Sequence, residues 1–489
     1  MHPRVAPIAI LALSLTTLPT TLQAQTPTLS PAVAKYVKVN APAILLTHVR
    51  IIDGTGAAPL EDQSILIENG KITSISATQP TNSYAQIIDL HNHTIIPGLV
   101  GMHDHLYYIA RADEAADGSS EPPLIVPQMT FTAPRMYLAA GVTTIRTTGS
   151  VEPYLDLNLR REIDLGHLPG PHMDITAPYL EGPNSPFVQM HNLTGPDDAR
   201  NFVDYWAAQG ATSYKAYMNI TRAELKAAVD AAHAHRLKVT GHLCAVTYPE
   251  AAEAGIDNLE HGFFVNTQND PGKQPDLCPR TTGNPTLFKM DPDGPDATAL
   301  IKLLVDHHVA ITSTLPVFES SIPQHLRLQN RVLEAMSPPT REAYLYTRNL
   351  ELSRPPNAER ALAYEHGAKL EHKFVAAGGL LLGGPDPTGD GGTLPGFGDQ
   401  REVELLVDSD GFTPLEAIKI CTLNGATYLG QQEKIGSIAP GKNADLVVIN
   451  GNPAANINDI EKVEIVFKDG IGYDSAKLFE SIKGRYGQY

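Results

Sequence analysis

Residues 102–105 read Met-His-Asp-His and close an apolar run, so His103 and His105 stand two positions apart at its end. In an extended strand, side chains at i and i+2 share one face, and both rings can reach a single ion. The pair His91 and His93 has the same spacing and also follows an apolar stretch, Ile87-Ile88. Spacing alone therefore does not choose between the two pairs. Four more ligand-competent side chains end apolar segments further on: Lys215 in Ser213-Tyr214-Lys215, His242 after Thr240-Gly241, His261 after Leu259-Glu260 and Asp386 after Gly384-Pro385. Each alone has a bland explanation as a strand-end cap or a packed polar group. Together with His103 and His105 they make a donor set of imidazoles and a carboxylate that suits zinc, with manganese, cobalt or iron as alternatives.

Something must hold these groups at one end of one framework. Eight apolar segments have the length and composition of parallel strands, at residues 95–102, 142–147, 172–177, 212–217, 237–242, 256–261, 309–314 and 379–384. Helical patterns lie between several of them. Thr221 and Glu224 form a capping-box pair, and Leu225, Ala228, Val229 and Ala232 then recur on one helical face. Residues 298–307 and 361–377 carry similar helices. Alternating strands and helices predict an α/β fold, a (β/α)8 barrel whose site is built at the C-terminal strand ends. Residues 262–297 and 317–356 interrupt the alternation and are expected as insertions over the mouth.

Both ends of the chain read as β structure. Residues 43–52 alternate apolar and polar, and 64–68 and 72–75 flank Asn69-Gly70 as a hairpin. Residues 87–90, 435–438, 444–449 and 462–468 have the same character. A small β-sandwich assembled from 25–96 and 434–489, around a barrel of 97–433, is the expected division.

With these residues in view, the chain resembles the amidohydrolase superfamily, in its imidazolonepropionase-like and prolidase-like branch, over nearly all of the sequence after the first few dozen residues. The resemblance rests on Pro97-Gly98-Leu99 before the first histidine pair, Gly141-Val142-Thr143-Thr144-Ile145-Arg146, Glu260-His261-Gly262, and Pro440-Gly441-Lys442-Asn443-Ala444-Asp445 near the end. It implies that His103, His105 and Asp386 hold one divalent ion, that His242 and His261 hold a second, and that Lys215 is carboxylated by CO2 and bridges both. It further implies a hydroxide shared by the two ions that attacks an amide, with Asp386 as general acid and base. The substrate class it implies is a dipeptide or an N-acyl amino acid, with lactones and phosphotriesters as the alternative and a non-catalytic binding scaffold on the same fold as the last. Relatives that cut such substrates hold the free carboxylate with an Arg or a Tyr, and Tyr217, Arg146 and His191 are the candidates here. Tyr107 and Tyr108, just past the first pair, are candidates to line the pocket.

Composition bounds the rest. The 489 residues carry 37 Lys+Arg against 54 Asp+Glu, a formal net charge of -17. That balance excludes the basic footprint of a nucleic-acid binder and fits a small-molecule or short-peptide substrate. It is also compatible with a homo-oligomer. Arg4 followed by a mostly apolar run to Leu18, with Ala24 as the cleavage point, predicts a signal peptide over residues 1–24 and a secreted or periplasmic protein. The run is shorter than the roughly 20 residues a membrane span needs. Three cysteines allow at most one bridge; Cys244 reads as a small buried thiol, and Cys278 as one that an oxidising compartment would let pair.

Overall fold

The computed structural model describes residues 28–78, 85–107, 126–183, 185, 187–388 and 392–487. The expected signal peptide and Tyr108 lie outside the described residues.

Eight parallel strands occupy the middle of the chain, in two hydrogen-bonded sheets. One sheet holds Leu99–Asp104, Val142–Thr147 and His172–Ile175. The other holds Ser213–Ala216, Lys238–Gly241, Asn258–Glu260, Ala310–Ser313 and Leu381–Gly383 in chain order. A parallel bridge between Thr176 and Ser213 joins the sheets at one seam. At the other, the Asp386 N–H donates to the His103 carbonyl at 3.1 Å. Backbones pass so closely there that a Cβ on Gly384 would sit 2.2 Å from the His103 nitrogen. Helices cover the strands, and the capping box at Thr221 starts Arg222–Ala234 as its sequence predicts. One large apolar core lies between the strands and these helices, from Leu99 and Ile145 to Leu381 and Val403.

The terminal segments form one nine-stranded sheet. Leu446–Ile449, from the far end of the chain, pairs antiparallel with Thr94–Pro97, which lies beside Ala43–Ile51. Asn69 and Gly70 both take positive φ, 50° and 77°, as a tight hairpin between Leu60–Glu68 and Lys71–Ser76 requires. Two sequence expectations are corrected. The segment expected as one strand over 95–102 is two, Thr94–Pro97 in the terminal sheet and Leu99–Asp104 in the parallel one, with Gly98 as the hinge between them. Residues 435–438 form no strand; Ile438 docks as loop on the Asp53 carbonyl.

Behind the parallel strands lie carboxyl groups shut away from water. Glu371 on helix Ala358–Ala376, Glu402 on helix Phe397–Asp408, and Asp410 just beyond it are all buried. Glu371 and Asp410 are close enough that each carboxyl acts on the other's charge state. Glu402 accepts the Leu315 N–H at 2.9 Å. Burial pushes Glu371 up to about 7, and burial with the neighbouring carboxyls holds Asp410 and Glu402 well above the usual range. A carboxyl whose folded pKa exceeds its unfolded value stabilises the fold while protonated, and that stabilisation drains away as pH rises from about 4.5 to about 7. Glu371→Gln keeps the shape and has no such proton to lose. Urea titrations should therefore show the wild type losing stability relative to this variant between about pH 5 and about pH 8. Parallel pH profiles for the two proteins would contradict the protonated pair.

Candidate metal centre

The side chains singled out by the sequence converge where the parallel strands end. His103 and His105 project from the end of Leu99–Asp104, Lys215 from Ser213–Ala216, and His242 and His261 from the first positions after their strands. The His103 and His261 rings lie 4.5 Å apart, and those of His242 and His261 4.3 Å apart. Ligand atoms of His103, His261 and Asp386 all fall within 4.8 Å of one another. Asp386 Oδ1 is 3.0 Å from His105 Nε2 and 3.6 Å from His103 Nε2, and the Lys215 amine donates to His103 Nε2 at 3.1 Å. His261 and Asp386 both sit in the left-handed region, at φ 67° and 53°. That conformation is costly for residues with a Cβ and collects at functional sites.

Burial sets the charge state. His105 is lowered to about 4 by burial, and His242 to about 3 by burial and then by Lys215. Burial likewise lowers His103 and His261, so all four imidazoles present lone pairs at neutral pH. Burial alone would raise Asp386, but His103 and His105 hold it below the usual carboxylate range. Burial brings Lys215 down to about 8, which leaves a substantial share of its amine unprotonated near that pH. Neutral imidazoles facing an ionised carboxylate fit a divalent cation, and His105 Nδ1 is a buried ring nitrogen without a partner.

A further residue holds this cluster, and the sequence reading quoted it only inside a motif. Glu260 has no exposure to water and accepts from His103 Nδ1 at 2.7 Å, which fixes the tautomer and turns Nε2 toward the cluster. Its other oxygen accepts from Arg146 Nη2 at 2.7 Å and Asn258 Nδ2 at 2.8 Å, and Thr240 Oγ1 also donates to it. Thr314 Oγ1 hydrogen-bonds the His261 ring, at 2.9 Å from its Nδ1. The signal that could have found Glu260 is its place one residue before His261, at the end of a buried strand.

The three substrate candidates part company. Tyr217 stands at the cluster, its ring 5.1 Å from that of His242 and 4.8 Å from that of Tyr179. Arg146 is corrected: it is fully buried, committed to Glu260 and, through Nε at 2.9 Å, to the Met102 carbonyl. His191 is half-exposed, paired to Asp198 at 3.0 Å and stacked on Phe202, and the structure brings it into no contact with the cluster histidines among the described residues. Tyr107 stacks on His105 at 4.4 Å and is itself buried. The second histidine pair is settled: His91 is exposed and bonded to Asp89, and His93 reaches Glu464. Cys244 is not a free thiol. It is bonded to Cys278, 34 residues on, and the bridge ties the segment after His261 to the turn that follows His242.

A family model described as the amidohydrolase family matches residues 94–345 and 397–471. The chain belongs to this family, whose members are metal-dependent. Curated relatives match over shorter stretches. Adenine deaminase 3 of Rhizobium meliloti is 40% identical over 79 residues, 16% of this chain and 12% of the relative. Ochratoxinase of Aspergillus niger is 32% identical over 108 residues, 22% and 21% respectively. Imidazolonepropionase of Deinococcus deserti is 34% identical over 80 residues, 16% and 19%. The chain thus spans about a fifth or less of the length of these relatives. Solved structures align along nearly their whole length. A putative prolidase from Bifidobacterium longum superposes with a TM-score of 0.64 at 22% identity, covering 90% of this chain and 98% of that one. An Xaa-Pro dipeptidase with methionine bound in its active site gives 0.63 at 21%, covering 88% and 100%. A bottromycin amidohydrolase gives 0.65 at 20%, covering 94% and 95%. These chains share the fold.

Two expected outcomes follow from the contacts around the cluster. Glu260→Gln should weaken divalent-ion binding about 10- to 100-fold with the fold intact; equilibrium dialysis giving wild-type affinity would remove the residue from that role. Replacing Cys244 and Cys278 together by Ser should cost about 3 kcal/mol in a denaturant titration, and an unchanged midpoint would mean that the bridge does not form.

Proposed function

We propose that this chain is an exported, binuclear metal-dependent amidohydrolase that cuts the amide bond of a dipeptide or an N-acyl amino acid. The observation that carries the reading is the convergence of four uncharged histidines, Asp386 and Lys215 at one end of the parallel strands, in a chain of the amidohydrolase family. The eight strands are read as a closed (β/α)8 barrel, supported by the backbone contacts at both seams. The terminal sheet is read as a sandwich folded over its own apolar core of Ile44, Ile65, Val448 and Phe467.

His103, His105 and Asp386 would hold one ion and His242 and His261 the other, zinc being the ion that this donor set suits best. When bound, the two cations would supply Lewis acidity, polarising the scissile carbonyl and acidifying water. Asp386 takes a proton from the attacking water and returns it to the departing nitrogen as the carbon–nitrogen bond breaks. Lys215 would be the residue that CO2 carboxylates: its neutral amine would add to the carbon, lose one proton and gain an anionic carbamate able to serve as a ligand. The 3.1 Å approach of its Nζ to His103 Nε2 supports that role. Tyr217 is read as the group that orients the substrate.

The names of the similar solved structures, prolidase and Xaa-Pro dipeptidase among them, support an amide between amino acids as the bond cut. Export is supported by the apolar N-terminal run and by the Cys244–Cys278 bridge, since disulfides persist in oxidising compartments.

The test is release of free amino acids from a panel of dipeptides and N-acyl amino acids, run beside lactones and an aryl phosphotriester. Release that a chelator abolishes and added zinc restores is the expected result. Turnover of lactones or phosphotriesters alone would overturn the amide assignment. Lys215→Ala should lose bound metal and turnover together, and wild-type metal content with full activity in that variant would contradict the bridging role.

A further inference from the structure

The aromatic rings at the cluster form a continuous row. Tyr217 meets His242 at 5.1 Å, His242 meets His261 at 4.3 Å, and His261 meets Phe318 edge-on at 5.7 Å and 87°. Phe318 belongs to the short helix Leu315–Glu319, which follows Ala310–Ser313 and the Thr314 that bonds His261. The position of this helix is fixed. Its first N–H is held by the buried Glu402 carboxyl at 2.9 Å, and Thr393, from the segment after Asp386, donates to its Pro316 carbonyl at 3.4 Å. Phe264, three residues past His261, stacks flat on Phe318 at 4.3 Å and 11°, and its other neighbour is Tyr364. Phe264 is buried, whereas Phe318 and Tyr217 keep part of their surface open.

We infer that Phe318, backed by Phe264, is the wall of an apolar subsite that selects a substrate with an aromatic or large aliphatic side chain beside the scissile amide. This rests on the amidohydrolase reading of the same site. A ring stacked on Phe264, set against a metal-site histidine and only partly buried is an apolar platform beside the ion cluster. Ligand sites are lined mainly by such groups, with a few polar atoms fixing orientation. Here the polar atoms belong to the ion cluster and Tyr217, and Phe318 stands at the opposite end of the row. The insertion 317–356, which the sequence marks as extra to the strand–helix alternation, thus carries at its second position the residue that sets side-chain preference.

The experiment compares wild type, Phe318→Ala and Phe318→Leu, all zinc-loaded, on N-acetyl-L-phenylalanine, N-acetyl-L-leucine and N-acetylglycine. Phe318→Ala should lose about 10- to 100-fold in kcat/KM on the phenylalanine and leucine substrates while its value on N-acetylglycine stays within about 3-fold. Phe318→Leu, which keeps the bulk of the helix packing, should recover the leucine substrate more than the phenylalanine one. Equal losses on all three substrates, or no loss on any, would overturn the subsite. A second readout does not depend on turnover: calorimetric binding of phenylalanine hydroxamate and of acetohydroxamate, whose hydroxamates bind metal ions. Phe318→Ala should weaken only the phenyl-bearing compound. If neither the N-acyl amino acids nor the dipeptides of the panel are cleaved but this difference appears, the amide reading falls and the apolar subsite stands. If amides are cleaved and both hydroxamates bind the variant as they bind the wild type, the subsite falls and the amide reading stands.

Discussion

A carboxylate with no contact to water, Glu260, is the constraint on which the ion cluster depends. Burial alone would raise its pKa and neutralise it; the Arg146 guanidinium and His103 instead hold it ionised. A buried charge is tolerable only when its partners are fixed, and here they come from strands far apart in the sequence, Arg146 lying 114 positions before Glu260. Once ionised, Glu260 dictates which nitrogen of His103 carries the proton and hence which faces the cluster. The Arg146–Glu260–His103 line is therefore a strut through the interior of the parallel strands, joining three of them at their polar atoms. It makes the position of the first ligand a property of the whole framework and not of one strand.

The same logic runs through the rest of the site. Thr314 orients His261, and Glu402 pins the helix that starts one residue later. His103, His261 and the helix that carries Phe318 are thus each held by a second, fully buried group, a pattern that fixes ligand geometry before any ion arrives. The protein accommodates the resulting acid-rich interior by keeping several carboxyls protonated, as at Glu371 and Asp410, and by pairing the others. A net negative chain can bury this many acids only because their charge states differ from those of the same groups in water.

What the sequence made legible was whatever depended on local periodicity. Strand alternation placed His103 and His105 on one face, and strand-end positions singled out Lys215, His242, His261 and Asp386. The capping box at Thr221 predicted its helix because that bond is made within four residues. Information carried by distant contacts was not legible. His91 and His93 match the first pair in spacing, and what separates them is that Thr94–Pro97 belongs to the terminal sheet. Arg146 at a strand end looks like a substrate contact until Glu260 is seen beside it. Cys244 looked solitary because its partner lies in an insertion whose path no periodic pattern describes, and Phe318 escaped notice for the same reason.

The hinge at Gly98 has a consequence for the order of assembly. Its N–H donates to the Asp445 carbonyl at 2.8 Å, between Thr94–Pro97 and Leu99–Asp104. Pro97 stands opposite Leu446 in the terminal sheet, only six residues before His103. The strand that carries His103 and His105 is therefore held twice, by its parallel neighbour Val142–Thr147 and, through Gly98, by chain synthesised more than three hundred residues later. A nascent chain holds all six ligand side chains before it holds Leu446–Ile449, the partner of Thr94–Pro97. The ion centre is, in that sense, moored to a sheet whose strands come from both sides of it in the sequence.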